Sequence, residues 1–202
     1  MVRPNILIVG PHRSGSTNLM NSLSKILGSH CIEEPWNYYL HSKGKYDYPF
    51  FLKDYGVVKS LIEQKAAEWK KPDIVDFYLH CIELFDYVII LNRKDRIALA
   101  ESYARQMQFG EVGSWHVKYI IEDTSVLNLE LDKINTWCDN INELSKKSNI
   151  PVTWYEELYS GDKVKFTNEV SKWNLDINID SFFNHFNPKN RYRKFINKQT
   201  TI

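Results

Sequence analysis

One stretch near the start of the chain constrains the fold more than any other: an apolar run that leads directly into a loop with two glycines. Residues 5–9 form a short, continuous and β-branched run, typical of a strand buried on both faces. Gly10 and Gly15 bracket the loop, and the apolar residues that follow recur at helical spacing as far as Leu27, before Gly28. The pattern predicts a strand, a loop and a helix in direct succession.

The predicted loop has the features of an anion-binding site. Backbone N–H groups at the start of a helix converge on one point, and the helix dipole adds partial positive charge there. Glycine at positions 10 and 15 lets the backbone approach a ligand closely. Ser14, Ser16 and Thr17 supply hydroxyl donors in the same stretch. A phosphate or sulfate group is therefore the expected ligand.

The rest of the chain alternates between strand and helix patterns. Further strands are predicted at 74–79, 87–91 and 151–155, and further helices at 57–69, 97–107, 130–147 and 162–173. Residues 110–114 are predicted to interrupt a helix. No repeat or linker divides the chain, so residues 1–202 are predicted to form a single α/β domain. We expect a three-layer, P-loop-like architecture in which helices flank a mainly parallel central sheet.

Composition argues against several classes of function. A net charge of +1 argues against a nucleic-acid-binding protein held by bulk electrostatics. No segment approaches membrane-spanning length, and no basic leader precedes a long apolar stretch. The three cysteines include no CxxC pair and indicate neither a zinc site nor a disulfide framework. We expect a cytoplasmic protein that binds neither nucleic acid nor a membrane; the sequence leaves its oligomeric state open.

The loop differs from the kinase and GTPase motif at one decisive position. That motif, G-x-x-x-x-G-K-[ST], uses its lysine on the terminal phosphates and its hydroxyl on magnesium. Here Ser16 occupies the lysine position, and Arg13 lies inside the loop. The strand at 87–91 leads to Arg93, where NTP chemistry requires an acidic residue to hold the metal. We therefore expect an anion site that needs no metal. A magnesium-dependent nucleoside or nucleotide kinase with a divergent loop is the alternative.

Three motifs, in order along residues 5–158, resemble those of the sulfotransferases that use 3′-phosphoadenosine 5′-phosphosulfate (PAPS). Residues 11–17 resemble the 5′-phosphosulfate loop of that family. Arg93, followed nine residues later by Ser102, resembles its 3′-phosphate site. Residues 154–158, Trp-Tyr-Glu-Glu-Leu, resemble its YEDL strand end. The sequence after Arg93 is most similar to the trehalose 2-sulfotransferase branch, through Ser102, Tyr103, Gln106, Gly110 and Trp115.

The resemblance implies an enzyme that moves the sulfuryl group of PAPS to a hydroxyl of a small-molecule or glycan acceptor and releases adenosine 3′,5′-bisphosphate (PAP). The loop would hold the 5′-phosphosulfate, and Arg13 would neutralise the charge on the bridging oxygen as the S–O bond breaks. Arg93 and Ser102 would grip the 3′-phosphate. The residues implied at the nucleotide are Arg13, Ser14, Gly15, Ser16, Thr17, Arg93, Ser102, Tyr155 and, from the basic tail, Arg191 and Arg193.

Transfer to a hydroxyl also needs a proton acceptor. Glu34, which precedes Pro35, resembles the glutamate before proline in carbohydrate sulfotransferases and is the preferred candidate. The trehalose-type pattern has a second glutamate after the proline, where this chain has Asn37. The alternatives for the base are Glu33, His30, His41 and His80. A non-catalytic relative that binds PAP, another nucleotide or a glycan is a further alternative for the whole chain.

Overall fold

A five-stranded parallel sheet forms the centre of the computed structural model, which describes residues 4–37, 56–65, 69, 73–113 and 124–186, and only the backbone of 108–113 and 124–127. The strands are β1 (Ile6–Gly10), β2 (Cys31–Glu33), β3 (Val57–Leu61), β4 (Tyr87–Asn92) and β5 (Val152–Trp154). Their order across the sheet is β2-β3-β1-β4-β5, and every neighbouring pair is parallel. The predicted α/β class is confirmed.

Helices connect these strands within the described residues. They are α1 (Ser16–Leu27), α2 (Ile74–Ile82), α3 (Arg96–Gly113), α4 (Thr124–Ser148), α5 (Tyr155–Leu158), α6 (Lys163–Ser171) and α7 (Ile179–Phe186). The strand and helix predicted from the opening stretch are confirmed in β1 and α1, and the left-handed Gly28 ends α1. The helices predicted at 130–147 and 162–173 are confirmed in α4 and α6.

Each face of the sheet carries its own apolar core. Leu7 and Val9 of β1 pack in one cluster with residues of α2 and α4. Ile6 and Ile8 face the opposite side and pack with residues of α1, α6 and α7. Helix α3 is attached through a smaller cluster with α4. The continuous apolar sequence of β1 follows from this arrangement, because both faces of the strand are covered.

The direction in which the chain crosses the sheet changes between β1 and β4. From β1 the chain passes through α1 towards β2 at one edge, whereas from β4 it continues towards β5 at the other edge. In open parallel sheets the crevice at such a point, outside the carboxyl ends of the strands, is the usual ligand site. The loop after Gly10 and the segment after Asn92 lie side by side at this crevice.

Two predicted elements are wrong. Residues 57–69 were expected to be helical, but Val57–Leu61 form β3, which pairs with β1 along its whole length. Val58, Leu61 and Ile62 match helical spacing only because Lys59 and Ser60 are polar; both polar side chains are in fact buried. The strand expected at 74–79 is helix α2, whose first turn is capped by the Asp73 carboxylate.

The interruption predicted at 110–114 is also wrong over the part that the structure describes. Helix α3 continues through Gly110 to Gly113. Glycine lowers helix stability by about 1 kcal/mol relative to alanine, which the rest of an 18-residue helix outweighs here. Ser114 lies outside the described residues.

Candidate functional site

The loop after β1 turns through two residues in the left-handed region of backbone space. Arg13 has a φ of 61° and Gly15 a φ of 82°. The N–H of Leu19 donates to the carbonyl of Gly15 at 3.1 Å. No side chain caps helix α1, and its first turn contains no acidic residue. The N–H groups of that turn have no intrahelical acceptor, so the helix start retains donors for an anion.

Gly15 has a positive φ, and there is also no space for a side chain at its position. A Cβ atom there would lie 2.7 Å from the Tyr159 hydroxyl oxygen and 2.8 Å from the ring carbon that bears it. The same hydroxyl donates to the Gly15 carbonyl at 2.7 Å. The Tyr159 ring stacks on that of Tyr155, with the centroids 4.4 Å apart. The segment after β5 therefore packs directly against the loop.

The end of β4 brings a second arginine to this loop. Arg93 Nη1 donates to the carbonyl of Arg13 at 3.4 Å, and Arg13 Nε donates to Ser102 Oγ at 3.0 Å. The guanidinium carbon of Arg93 lies 4.4 Å from the centre of the Tyr155 ring. We call Arg13, Arg93, Ser102 and Tyr155 the arginine cluster. Three separate sequence motifs thus meet at the carboxyl ends of β1, β4 and β5.

Arg93 retains an unused donor within this cluster. Its side chain is 13% exposed, and its Nε atom is buried without a hydrogen-bond partner among the described residues. The nearby Glu156 carboxylate lies 3.8 Å from that atom, beyond hydrogen-bond distance. It accepts instead from the backbone N–H groups of Lys94 and Asp95, each at 3.1 Å. Arg93 therefore keeps one side-chain donor that no described residue accepts from.

The three hydroxyls predicted at the anion point in different directions. Ser14 is 1% exposed, and its Oγ lies 2.8 Å from where a Cβ on Gly10 would stand, so it packs inward beneath the loop. Ser16 is buried at the first position of α1. Thr17 is exposed, and its hydroxyl donates to Glu33 Oε1 at 2.6 Å.

A second group of charges lies on the other side of the loop, at the ends of β2 and β3. Lys59, only 3% exposed, donates through Nζ to Glu33 Oε1 at 3.0 Å and to Glu34 Oε1. The other oxygen of Glu34 accepts from Asn37 at 2.9 Å and from Gln64 at 3.0 Å. We call Glu33, Glu34 and Lys59 the carboxylate cluster. The side chain of Glu33 is 42% exposed, whereas that of Glu34 is buried.

These contacts fix the ionisation of Glu34. Burial by itself would raise the pKa of its carboxyl group. The positive charge of Lys59 and the hydrogen bonds from Lys59, Asn37 and Gln64 together outweigh burial, so the pKa lies below the ordinary value. The backbone N–H of Glu34 also donates to the carbonyl of Lys59 at 2.7 Å. Glu34 is thus a firmly held carboxylate.

A third group of titratable side chains involves the loop itself. His12 Nε2 lies 2.9 Å from Glu63 Oε1, and both carboxylate oxygens of Glu63 are buried. The imidazole ring lies between the rings of Tyr103 and Trp137, at centroid distances of 5.3 and 5.7 Å. No sequence pattern predicts a role for His12, Glu63 or Lys59. Lys59 interrupts a short apolar run, which is a detectable signal. Because residues 57–69 were predicted to be a helix, that signal was not connected with the loop.

The alternative histidine bases lie in other parts of the molecule or outside the described residues. The carbonyl of His30 accepts from the N–H groups of Gly56 and Val57, which places His30 at the amino ends of β2 and β3, away from the loop. His80 lies near the end of α2, where its ring stacks on that of Trp69 at 5.7 Å. His41, Arg191 and Arg193 lie outside the described residues.

The Cys138 thiol is not a candidate for nucleophilic chemistry. Cys31, Cys81 and Cys138 are all free, and Cys81 and Cys138 are buried. Burial raises the pKa of Cys138 to about 11. A thiol is reactive as its thiolate, so Cys138 is inert near neutral pH.

No group of three or more His, Cys, Asp or Glu residues in the described part of the chain is arranged to hold a metal ion. Among the helices of that part, none is both long enough and apolar enough to cross a membrane.

A scan of the sequence against protein-family models finds no match, and a search of curated proteins finds none either. Inferences about function therefore depend on the geometry of the site.

Proposed function

We propose that this protein is a PAPS-dependent sulfotransferase, which moves the sulfuryl group of PAPS to a hydroxyl of a small-molecule or carbohydrate acceptor and releases PAP. One observation carries the proposal: Arg13, Arg93 and Ser102 are joined by hydrogen bonds at the crevice between β1 and β4. A single ligand with two separated anionic groups can reach both the loop and Arg93 from this crevice. PAP and PAPS are such ligands.

The arginine cluster suits the 3′-phosphate. Arg93 has a buried Nε donor that no described residue uses, and arginine binds phosphate oxygens through such paired donors. Ser102 Oγ accepts from Arg13, so its own proton remains available to a phosphate oxygen. Tyr155 supports the guanidinium of Arg93 from one side. Arg191 and Arg193 would complete the phosphate site from the tail.

The uncapped start of α1 suits the 5′-phosphosulfate. Backbone N–H groups from Arg13 to Thr17 would hold its oxygens, and Arg13 would stabilise the charge that develops on the bridging oxygen. The acceptor oxygen forms a bond to sulfur while the bond between sulfur and the bridging oxygen breaks, and PAP leaves with that electron pair. The contribution of the protein is positioning and electrostatic stabilisation, as in phosphoryl transfer.

Glu34 and Glu33 are the carboxylates available beside the acceptor. Glu34 is the base expected from the sequence, and that assignment stays a prediction. Three donors stabilise its charged form, and a lowered pKa weakens its tendency to hold a proton. A glutamate-to-glutamine change at each position, followed by measurement of turnover, tests both residues.

Ligand binding provides the first test of the proposal. We expect PAP to raise the melting temperature in the presence of EDTA, and ATP or adenosine 5′-phosphosulfate, which lack the 3′-phosphate, to raise it much less. Arg93→Ala should weaken PAP binding about 100-fold, as expected for loss of a buried charge-assisted contact. Arg96→Ala is the matched control, because the Arg96 guanidinium is bound by Asn135 and Asp139 on α4. Equal stabilisation by ATP and PAP would overturn the proposal.

One observation favours a second candidate, a magnesium-dependent kinase. Thr17 and Lys59 both donate to Glu33 Oε1, so an amine, a hydroxyl and a carboxylate meet beside the loop. A kinase uses these three groups on its phosphates and its metal. A magnesium-dependent kinase would bind ATP selectively, and EDTA would abolish that binding. The same titration therefore separates the two candidates, and PAP binding without any turnover would indicate a non-catalytic relative.

A further inference from the structure

The His12–Glu63 pair lies at the site but has no role in the steps of sulfuryl transfer assigned to the arginine and carboxylate clusters. Its geometry follows from the strands. Gly10 is paired with Leu61, and the N–H of Ile62 donates to the carbonyl of Gly10 at 3.0 Å. His12 and Glu63 each lie two residues beyond that register pair, on neighbouring parallel strands. The sheet itself therefore places the imidazole and the carboxylate next to each other.

Glu63 has a carboxylate whose two oxygens are buried, although the side chain as a whole is 19% exposed. Neither oxygen has a partner in hydrogen-bond geometry among the described residues, and His12 Nε2 lies 2.9 Å from Oε1. Burying a carboxylate without a partner is costly, so a proton on Nε2, facing the carboxylate, is favoured. The other ring nitrogen, Nδ1, then carries the lone pair unless the ring is fully protonated.

The imidazole is partly exposed, whereas the carboxylate oxygens of Glu63 are buried. The His12 side chain is 26% exposed, and no described residue bonds to Nδ1. The rings of Tyr103 and Trp137 hold it from α3 and α4. His12 also immediately precedes Arg13, the residue proposed to contact the bridging oxygen. A carboxylate-oriented imidazole beside an anion site has the arrangement of a general base.

We propose that His12 is the proton acceptor of the transfer reaction and that Glu63 is its positioning residue; this inference rests on the proposed function. His12 Nδ1 takes the proton of the acceptor hydroxyl as the acceptor oxygen bonds to sulfur. The bond between sulfur and the bridging oxygen breaks, its electron pair stays on PAP, and the imidazolium later releases its proton to solvent. Glu63 orients the ring and stabilises the imidazolium. Glu34 keeps its three hydrogen bonds throughout.

The groups that face His12 set the expected pH dependence. They are Glu63 in the turn after β3 and Tyr103 on α3, with Glu130 of α4 close to Tyr103. Burial and the two carboxylates raise the pKa of Tyr103, so it stays neutral near neutral pH. A rise of turnover with pH that depends on this imidazole should disappear in His12→Asn.

The test measures binding and turnover separately. PAP affinity is determined by calorimetry, and release of PAP from PAPS is followed with water, trehalose or 4-nitrophenol as the acceptor. We expect His12→Asn to lower turnover about 100-fold or more while PAP affinity stays within about threefold. Glu63→Gln should lower turnover less and shift its pH profile. His185→Asn, on the exposed side of α7, is the control and should match the parent protein.

A rescue experiment guards against a merely structural effect. Added imidazole should restore turnover to His12→Ala in a concentration-dependent manner, which a structural role for His12 would not produce. Unchanged turnover in His12→Asn would overturn the inference and leave the proposed function standing. A loss of turnover in Glu34→Gln, with the remaining turnover keeping the pH dependence of the parent protein, would do the same. PAP binding without release of PAP from PAPS would overturn it too. Absence of PAP binding to the parent protein would instead refute the proposed function.

Discussion

The arginine cluster and the carboxylate cluster lie on opposite sides of the same loop, yet they place their charges in different surroundings. Arg13 donates to a hydroxyl, and Arg93 donates to a carbonyl and lies over an aromatic ring. Lys59, in contrast, is buried between two glutamates. These hydrogen bonds of the two arginines go to neutral groups, with the Glu156 carboxylate 3.8 Å from Arg93 Nε, whereas the charges of the second cluster contact each other directly.

This difference separates ligand binding from stability. Buried charges that neutralise each other hold the fold together, and removal of one partner leaves the other charge uncompensated. Cations on neutral partners contribute less to the fold and can exchange those partners for a phosphate or sulfate oxygen. We therefore expect changes in the carboxylate cluster to act mainly on the free energy of unfolding, and changes in the arginine cluster to act mainly on ligand affinity.

Lys59→Met provides the largest expected effect. It leaves Glu33 and Glu34 close together without their cation, and loss of one partner of a buried ion pair costs about 3–5 kcal/mol of unfolding free energy. Urea denaturation at pH 7 measures the loss. Lys147→Met is the control, because the Lys147–Glu143 pair is exposed to solvent and should contribute little to stability. If the two variants are equally stable, the carboxylate cluster does not support the fold.

Glu34→Gln should cost less, about 1.5–3 kcal/mol at pH 7, because Lys59 keeps Glu33 as a partner. The folded-state pKa of Glu34 lies below its ordinary value, so its stabilising contribution is present above the ordinary value and is lost as pH falls through the folded-state pKa. Denaturation series at several pH values should therefore show the parent and the variant converging below about pH 4.5. A difference that stays constant down to pH 3 would contradict the assignment.

Sequence patterns predicted the arginine cluster far better than the carboxylate cluster. Arg13, Arg93 and Ser102 each lie at a landmark that can be recognised locally: the glycine loop, the end of an apolar strand and the helix after it. Parallel strands then bring these landmarks to one edge. Lys59 has no such landmark: its role depends on which strand lies next to β1, and that is a property of the tertiary fold. A buried lysine also breaks the apolar run by which strands are recognised.

The His12–Glu63 pair was missed for a related reason. His12 was visible in the loop, but nothing local indicates that residue 63 ends up beside it. Only the register between β1 and β3 brings the two residues together, and residues 57–69 had been interpreted as a helix. Because strand β3 was predicted to be a helix, neither Lys59 nor Glu63 was predicted at the site.

Gly15→Ala tests the loop that lies between the two clusters. A left-handed backbone costs a non-glycine residue about 1–2 kcal/mol, and the new Cβ would also meet the end of the Tyr159 ring. We expect this loss in urea denaturation together with weaker PAP binding, because the loop geometry changes. The double variant with Tyr159→Leu should recover the steric part but not the backbone part. Gly28→Ala, at a left-handed position with open space, isolates the backbone cost.

Ser102→Ala should have the smallest effect on stability and is the sharpest test of the difference between the clusters. It removes the hydroxyl that accepts from Arg13, and a single hydrogen bond contributes about 0.5–1.5 kcal/mol to unfolding free energy. If that hydroxyl also donates to the 3′-phosphate, PAP affinity should fall about tenfold, measured by calorimetry. Ser171→Ala is the control, because that hydroxyl bonds only within α6. A Ser102→Ala protein that loses stability but keeps its PAP affinity would show that the arginine cluster, like the carboxylate cluster, serves the fold.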